Sequence, residues 1–232
     1  MELIDKYFPD LTEEQRRRIA ALYGLYADWN AKINVVSRKD FDQLYLRHVL
    51  HSLAIAKVCA FADGARILDA GCGGGFPSVP LAILFPGAHF TAADSIRKKI
   101  AVVEGVAGAL GLRNLTPRCV RVETLEERFD YVVSRAVTAM PEFLKLTWNR
   151  IERGQAGSLP NGVLYLKGGA IWPRNWPSRE SGGMFTTFPA SSTNRSSKPR
   201  RSFTRLKNRC LAVFSAGCSP SAERRRAIWS PV

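Results

Sequence analysis

The sequence predicts an α/β fold: a mostly parallel sheet behind an N-terminal helical cap. Three observations carry that prediction. Two amphipathic helical stretches precede residue 60, a glycine-rich turn directly follows a short apolar run, and four further apolar runs alternate with helical patterns. Strands that alternate with helices give βαβ units, whose crossover connections make neighbouring strands parallel.

The first helix is expected from about 12 to 29. Thr12-Glu13-Glu14-Gln15 has the form of a capping box, and Ile19, Leu22, Tyr23 and Tyr26 recur behind it at helical spacing. A second helix, from about 41 to 58, carries Leu44, Leu46, Val49, Leu50, Leu53 and Ile55. His48 and His51 fall on it, where packing or capping is expected of them rather than catalysis. From Arg66 the period changes, and residues 66–70, 89–93, 115–120, 129–134 and 162–167 read as strands. After the second strand, Ile96, Ile100, Val103, Ala107 and Leu110 share one helical face, and Gly111 supplies the stop. The expected division is a cap over 1–60, a core over 61–169 and a tail over 170–232.

The tail changes how the charge is read. The chain of 232 residues carries 34 Lys and Arg against 20 Asp and Glu, a net +14. Residues 170–232 hold twelve of those bases and two acids, Glu180 and Glu223, so most of the surplus lies there. With eleven Ser, six Pro and no sustained period, this segment reads as a basic, disordered tail, with an RNA-binding extension as the alternative. An apolar content of 46% excludes disorder for the rest. No apolar run approaches the roughly 18–20 residues of a membrane span, and the N-terminus lacks the basic and apolar regions of an export signal. Five cysteines, odd in number and without a CxxC pair, favour a reducing, cytoplasmic setting and argue against a structural zinc. No metal is expected.

Chemistry concentrates in Asp69-Ala70-Gly71-Cys72-Gly73-Gly74-Gly75-Phe76-Pro77. Glycines after a first strand let the backbone turn sharply where ligands collect on a parallel sheet. A dinucleotide loop would need glycine where Phe76 stands, and a P-loop would need Gly-Lys-Ser/Thr. The remaining reading is the D-x-G-x-G-x-G loop that holds S-adenosylmethionine, matched by Asp69, Gly71, Gly73 and Gly75. Asp69 is then placed to attract the cofactor's amino end. Asp94, at the end of the second strand, is a candidate for the ribose hydroxyls, its alternative being a helix cap shared with Ser95. Val122 and Glu123 follow the third strand, where an adenine ring would be flanked. Arg135 ends the fourth strand, where substrate would meet the methyl group. Arg97, Lys98 and Lys99 oppose the helix macrodipole, which favours anions at an N-terminus. That points to phosphate contact, with Arg38, Lys39 and Arg47 extending the patch.

Taken together, Trp29-Asn30, Lys32 to Ser37, Arg47-His48, His51-Ser52-Leu53, Asp69 to Pro77, Asp94-Ser95, Lys98-Lys99, Ser134-Arg135-Ala136 and Leu166 to Gly169 resemble the bacterial small-subunit (16S) ribosomal RNA guanine-N7 methyltransferases, also called glucose-inhibited division protein B. The resemblance covers residues from about 10 to 169. It implies a class I S-adenosylmethionine-dependent methyltransferase fold, Rossmann-like, with that cofactor held by Asp69, Gly71, Gly73, Gly75, Phe76, Asp94, Ser95, Val122, Glu123 and Arg135. Arg135 and Lys167 would place the guanine, and the partner would be small-subunit ribosomal RNA or the 30S subunit, with no membrane or stable protein partner. Two departures stand out: Ser78 replaces the glycine usual after the motif proline, and residues 170–232 match nothing in the family. That end reads as a shifted frame or a replacement, leaving the last strands of the sheet missing. A catalytically impaired RNA-binding or assembly protein and a small-molecule methyltransferase remain the rival readings.

Overall fold

The sheet order β3-β2-β1-β4-β5-β7-β6 defines the architecture. Its strands are β1 (Arg66–Ala70), β2 (His89–Asp94), β3 (Leu115–Cys119), β4 (Tyr131–Arg135), β5 (Gly162–Gly168), β6 (Gly183–Thr187) and β7 (Arg209–Ser215). This structure, a computed structural model, describes residues 1–135, 140–168, 183–187 and 209–215. The first five strands are parallel, and strand order reverses between β1 and β4. At such a switch point the chain leaves in opposite directions and a crevice opens outside the carboxyl ends of the strands.

The prediction that the sheet lacks its last strands is corrected. β7 pairs antiparallel along the whole of β5, from Gly162↔Ser215 to Gly168↔Arg209, and β6 pairs antiparallel with β7. An open strand edge is a row of unpaired backbone donors and acceptors that templates pairing. The run Cys210-Leu211-Ala212-Val213-Phe214 suits a strand, although the Ser, Arg and Pro around it conceal it in any composition average.

Helices α1 (Glu2–Tyr7), α2 (Glu13–Lys32), α3 (Arg38–Phe41) and α4 (Leu50–Leu53) form the cap; α5 (Ser78–Leu84), α6 (Arg97–Leu110) and α7 (Met140–Thr147) follow β1, β2 and β4. The capping box of α2 forms as expected: Gln15 N donates to Thr12 Oγ1 at 3.2 Å, and Thr12 N donates to Gln15 Oε1 at 2.9 Å. Gln15 Nε2 also reaches the Leu84 carbonyl at 3.0 Å, tying the start of α2 to the end of α5. Ile19, Leu22 and Tyr26 are buried, whereas Tyr23 faces out, its ring tilted against Phe41 and stacked on Tyr45.

The expected single helix over 41–58 is broken into α3, a π-helical turn Tyr45–Val49, α4 and a 3-10 turn Ala54–Lys57. The wider π turn carries Arg47 and His48. α6 ends at Gly111 with φ 62°, as predicted. Its fit to the cap depends on Gly105, where a Cβ would come within 2.2 Å of the Trp29 ring. One buried cluster runs from Ile4 through Tyr26, Ile67 and Val103 to Leu166, so cap and sheet share a single core.

Candidate functional site

The glycine loop after β1 is held from three sides. Gly71 N and Cys72 N both donate to the Ala93 carbonyl at the end of β2, at 2.9 and 3.0 Å. Gly73 N donates to Asp94 Oδ2 at 3.1 Å. From the cap, the buried Tyr26 hydroxyl donates to the Gly74 carbonyl at 2.6 Å. Gly71, Gly73 and Gly75 all take positive φ, at 73°, 56° and 98°. At Gly75 a Cβ would also lie 2.6 Å from Val79 Cγ2 and 3.1 Å from the Tyr26 hydroxyl, so both backbone and space require glycine there.

Beside this loop, at the carboxyl ends of β1, β2 and β3, lies a cavity of about 290 Å³. Gly71, Asp94, Ser95, Val122 and Glu123 line it, five of the residues singled out for the cofactor. Val122 and Glu123 sit on a 3-10 turn, Val122–Thr124, with Arg150 Nη2 donating to the Glu123 carbonyl at 3.0 Å. Phe143, Leu146 and Thr147 of α7 close the opposite wall. Sequence reasoning passed over them, although their spacing after the fourth strand is helical.

Asp94 both forms a turn at the start of α6 and lines the cavity. Only 8% exposed, it receives Ile96 N on Oδ1 at 2.9 Å, the turn that opens α6, and Gly73 N on Oδ2. Lys99 Nζ lies 3.4 Å from Oδ2. A carboxylate has about four lone-pair positions, so one remains for a ribose hydroxyl. Apolar walls, a close-approach backbone and this carboxylate fit the adenosine half of S-adenosylmethionine.

The structure gives three of these residues protein partners of their own. Lys99 belongs to the cavity and its ion pair with Asp94, which explains a base so near the helix start. Arg97 is paired with Glu104 at 3.2 Å, and Lys98 is the exposed member of that trio, with no ion pair among the described residues. Asp69 does not face the cavity: it has no exposed surface, and its Oδ2 accepts the Ser78 N–H at 2.9 Å, fastening the loop to the start of α5. Burial pushes its carboxyl up to about 7, against the opposing pull of Ser78 and of the Arg135 guanidinium. Burial also raises the Tyr26 phenol and the Cys72 thiol, so both are neutral near pH 7.

Phe76 and Arg135 form a second group outside that lining. The Phe76 ring is buried, stacked on Tyr26 at 4.7 Å, with the Arg135 guanidinium carbon 5.2 Å from its centroid. His48, expected only to pack or cap, reaches the same group. Arg135 Nη1 lies 2.9 Å from His48 Nδ1 and 3.3 Å from the Arg47 carbonyl. The Arg47 side chain is paired with Asp40. The side chains of Arg38, Lys39 and Lys167 lie outside the described residues; Arg38 and Lys39 open α3, and Lys167 sits near the carboxyl end of β5. Among the described residues no cluster of His, Cys, Asp and Glu could hold a metal, and no helix is long and apolar enough to cross a membrane.

Comparison with known proteins shows the family. Residues 15–168 match the family model GidB, rRNA small subunit methyltransferase G. The ribosomal RNA small subunit methyltransferase G of Bacteroides thetaiotaomicron is 54% identical over 177 residues, covering 76% of this chain and 86% of that protein. Its counterpart in Flavobacterium psychrophilum is 54% identical over 171 residues, covering 74% of this chain and 82% of that one. Among solved structures, a mutant of MtNAS in complex with S-adenosylmethionine superposes with a TM-score of 0.52 at 12% identity, over 87% of this chain and 76% of that one, a likeness of fold alone. With a crevice at the switch point and a family match from near the start of α2 to the end of β5, the chain belongs to the GidB family of small-subunit ribosomal RNA methyltransferases.

Proposed function

We propose that the chain transfers a methyl group from S-adenosylmethionine to N7 of a guanine in small-subunit ribosomal RNA, with the assembled 30S particle as a candidate form of the substrate. One observation carries the reading: in a chain of this family, a positive-φ glycine loop and the nearly buried Asp94 carboxylate meet at one cavity at the switch point of the sheet. When bound, the cofactor supplies an electrophilic methyl on a sulfonium, taken in line by the N7 lone pair as the carbon–sulfur bond breaks, with no proton to remove.

The protein's task is therefore positioning. Asp94 would accept a ribose hydroxyl, Gly71 lets the backbone approach, and Val122, Glu123 and Phe143 would line the adenine. Arg135 donates to the guanine O6 or to its phosphate and leaves N7 free, with Lys167 on the adjacent strand assisting. Lys98, with Arg38, Lys39, Arg47 and Arg97, contacts phosphates. The test is transfer of labelled methyl to small-subunit RNA lacking the modification, both free and as 30S particles, with reductive cleavage at N7-methylguanine locating the product. Absence of label from both substrates, or label on another atom, overturns the reading.

In this proposal residues 170–232, whose strands β6 and β7 extend the sheet from β5, are a replaced or frame-shifted end beyond a cap over 1–60 and a catalytic core over 61–169. Translating the gene downstream of codon 169 in its other frames tests the frame shift: a helix and hairpin in another frame support it, and their absence overturns it in favour of a replaced end.

A further inference from the structure

We infer that His48 is a positioning residue for methyl transfer: from the cap, it holds the Arg135 guanidinium over the Phe76 ring at the site. This rests on the reading of Arg135 as a substrate-placing residue. Arg135 is separated from His48 by 87 positions, yet Nη1 meets His48 Nδ1 at 2.9 Å. A guanidinium can only donate hydrogen bonds. Nδ1 must therefore carry its lone pair, which puts the proton of the neutral imidazole on Nε2.

Three further contacts make the arrangement specific. The His48 ring lies 5.3 Å from Phe76, tilted by 57°, so the ring under the guanidinium also fixes the plane of the imidazole. Phe76 is in turn stacked on the buried Tyr26, whose hydroxyl holds Gly74. The Arg47 carbonyl, one residue earlier on the π turn, accepts from the same Nη1 at 3.3 Å. The wider turn thus presents a backbone and a side-chain acceptor together to one guanidinium nitrogen. A planar donor held by two acceptors and a ring face has few orientations left, which is what aligning a base against a methyl group requires. The cap is part of the site on this account, through residues of the π turn that carry no catalytic group themselves.

The test compares wild type, Arg135→Ala, His48→Ala, His48→Asn and the double variant His48→Ala/Arg135→Ala. Readouts are methyl transfer to small-subunit RNA and thermal unfolding. Asn is the conservative replacement, because its Oδ1 stands close to where Nδ1 stood. We expect His48→Ala to lower kcat/KM by about tenfold to a hundredfold. His48→Asn should recover most of that loss, and His48→Ala should cost nothing further once Arg135 is Ala. Equal impairment of His48→Ala and His48→Asn, or multiplicative losses in the double variant, overturns the inference while leaving Arg135 in the site. Full activity of Arg135→Ala removes Arg135 itself and the inference with it.

A readout independent of turnover is nitrogen NMR of histidine-labelled protein, which has only three histidines to assign. His48 Nδ1 should be the unprotonated ring nitrogen, and its shift should move in Arg135→Ala. A protonated Nδ1, or a shift indifferent to Arg135, overturns the inference.

Discussion

Lys99 Nζ lies 3.4 Å from Asp94 Oδ2 inside the crevice, so the acid proposed to hold the ribose already carries a counter-ion. The Lys99 side chain is 38% exposed, and an ion pair that open to water contributes little, about 0–1 kcal/mol. The hydrogen bonds that Asp94 makes to the loop, to α6 and to ligand are charge-assisted and shielded, each about 1.5–3 kcal/mol. Titration calorimetry with S-adenosylmethionine should therefore show a loss of at least tenfold in affinity for Asp94→Ala. For Lys99→Ala the change should stay within about fivefold. Similar losses in the two variants would give Lys99 a larger role than its exposure allows.

Tyr26→Phe removes the buried hydroxyl that donates to the Gly74 carbonyl and leaves the ring stacked on Phe76. A bond of this kind contributes about 1 kcal/mol. Urea unfolding should report a loss of that size. Cofactor affinity should also weaken, because the glycine loop loses one of its three supports.

Gly75→Ala meets two separate obstacles, a φ of 98° and a Val79 methyl 2.6 Å from the new Cβ. Strain at a left-handed position costs about 1–3 kcal/mol before any clash is added. Pairing the change with Val79→Ala removes the clash and leaves the strain. The double variant should therefore be more stable than Gly75→Ala corrected for the separate cost of Val79→Ala, yet less stable than wild type. Thermal unfolding of the four proteins decides this.

Asp69 predicts a pH dependence of stability. Its folded pKa, pushed up to about 7 by burial, lies above the ordinary value of about 3.9 for an unfolded Asp. Between those values the folded state binds more protons than the unfolded state, so stability falls as pH rises from about 4 to 7. Asp69→Asn keeps an oxygen for the Ser78 N–H and removes the titration. Measured by denaturant unfolding at pH 5 and 7.5, its stability relative to wild type should be greater at the higher pH. A pH-independent difference would mean that Asp69 is charged throughout.

Much of this protein was legible from residues near one another in the chain. The capping box of α2, the face of α6 and its stop at Gly111, the five parallel strands and the glycine loop all follow local rules of period, capping and backbone freedom. The break in the second helix was not legible, because leucines at helical spacing are compatible with an α turn or a π turn. Val49 and Leu50, at the end of the π turn, are both buried in the core. The strand over 209–215 was hidden for a different reason: its partner, β5, lies more than forty residues away.

The sequence by itself determined that a parallel sheet would carry a glycine loop, a carboxylate on the next strand and an arginine at the end of the fourth. What surrounds each of them follows from tertiary packing. It buried Asp69 under the loop, turned Lys99 into the crevice, and brought His48 to Arg135. Those assignments depend on which surfaces meet when the cap closes on the sheet, and spacing along the chain does not encode such meetings. Local sequence limits the backbone; the shared core selects which side chains are left to face the crevice.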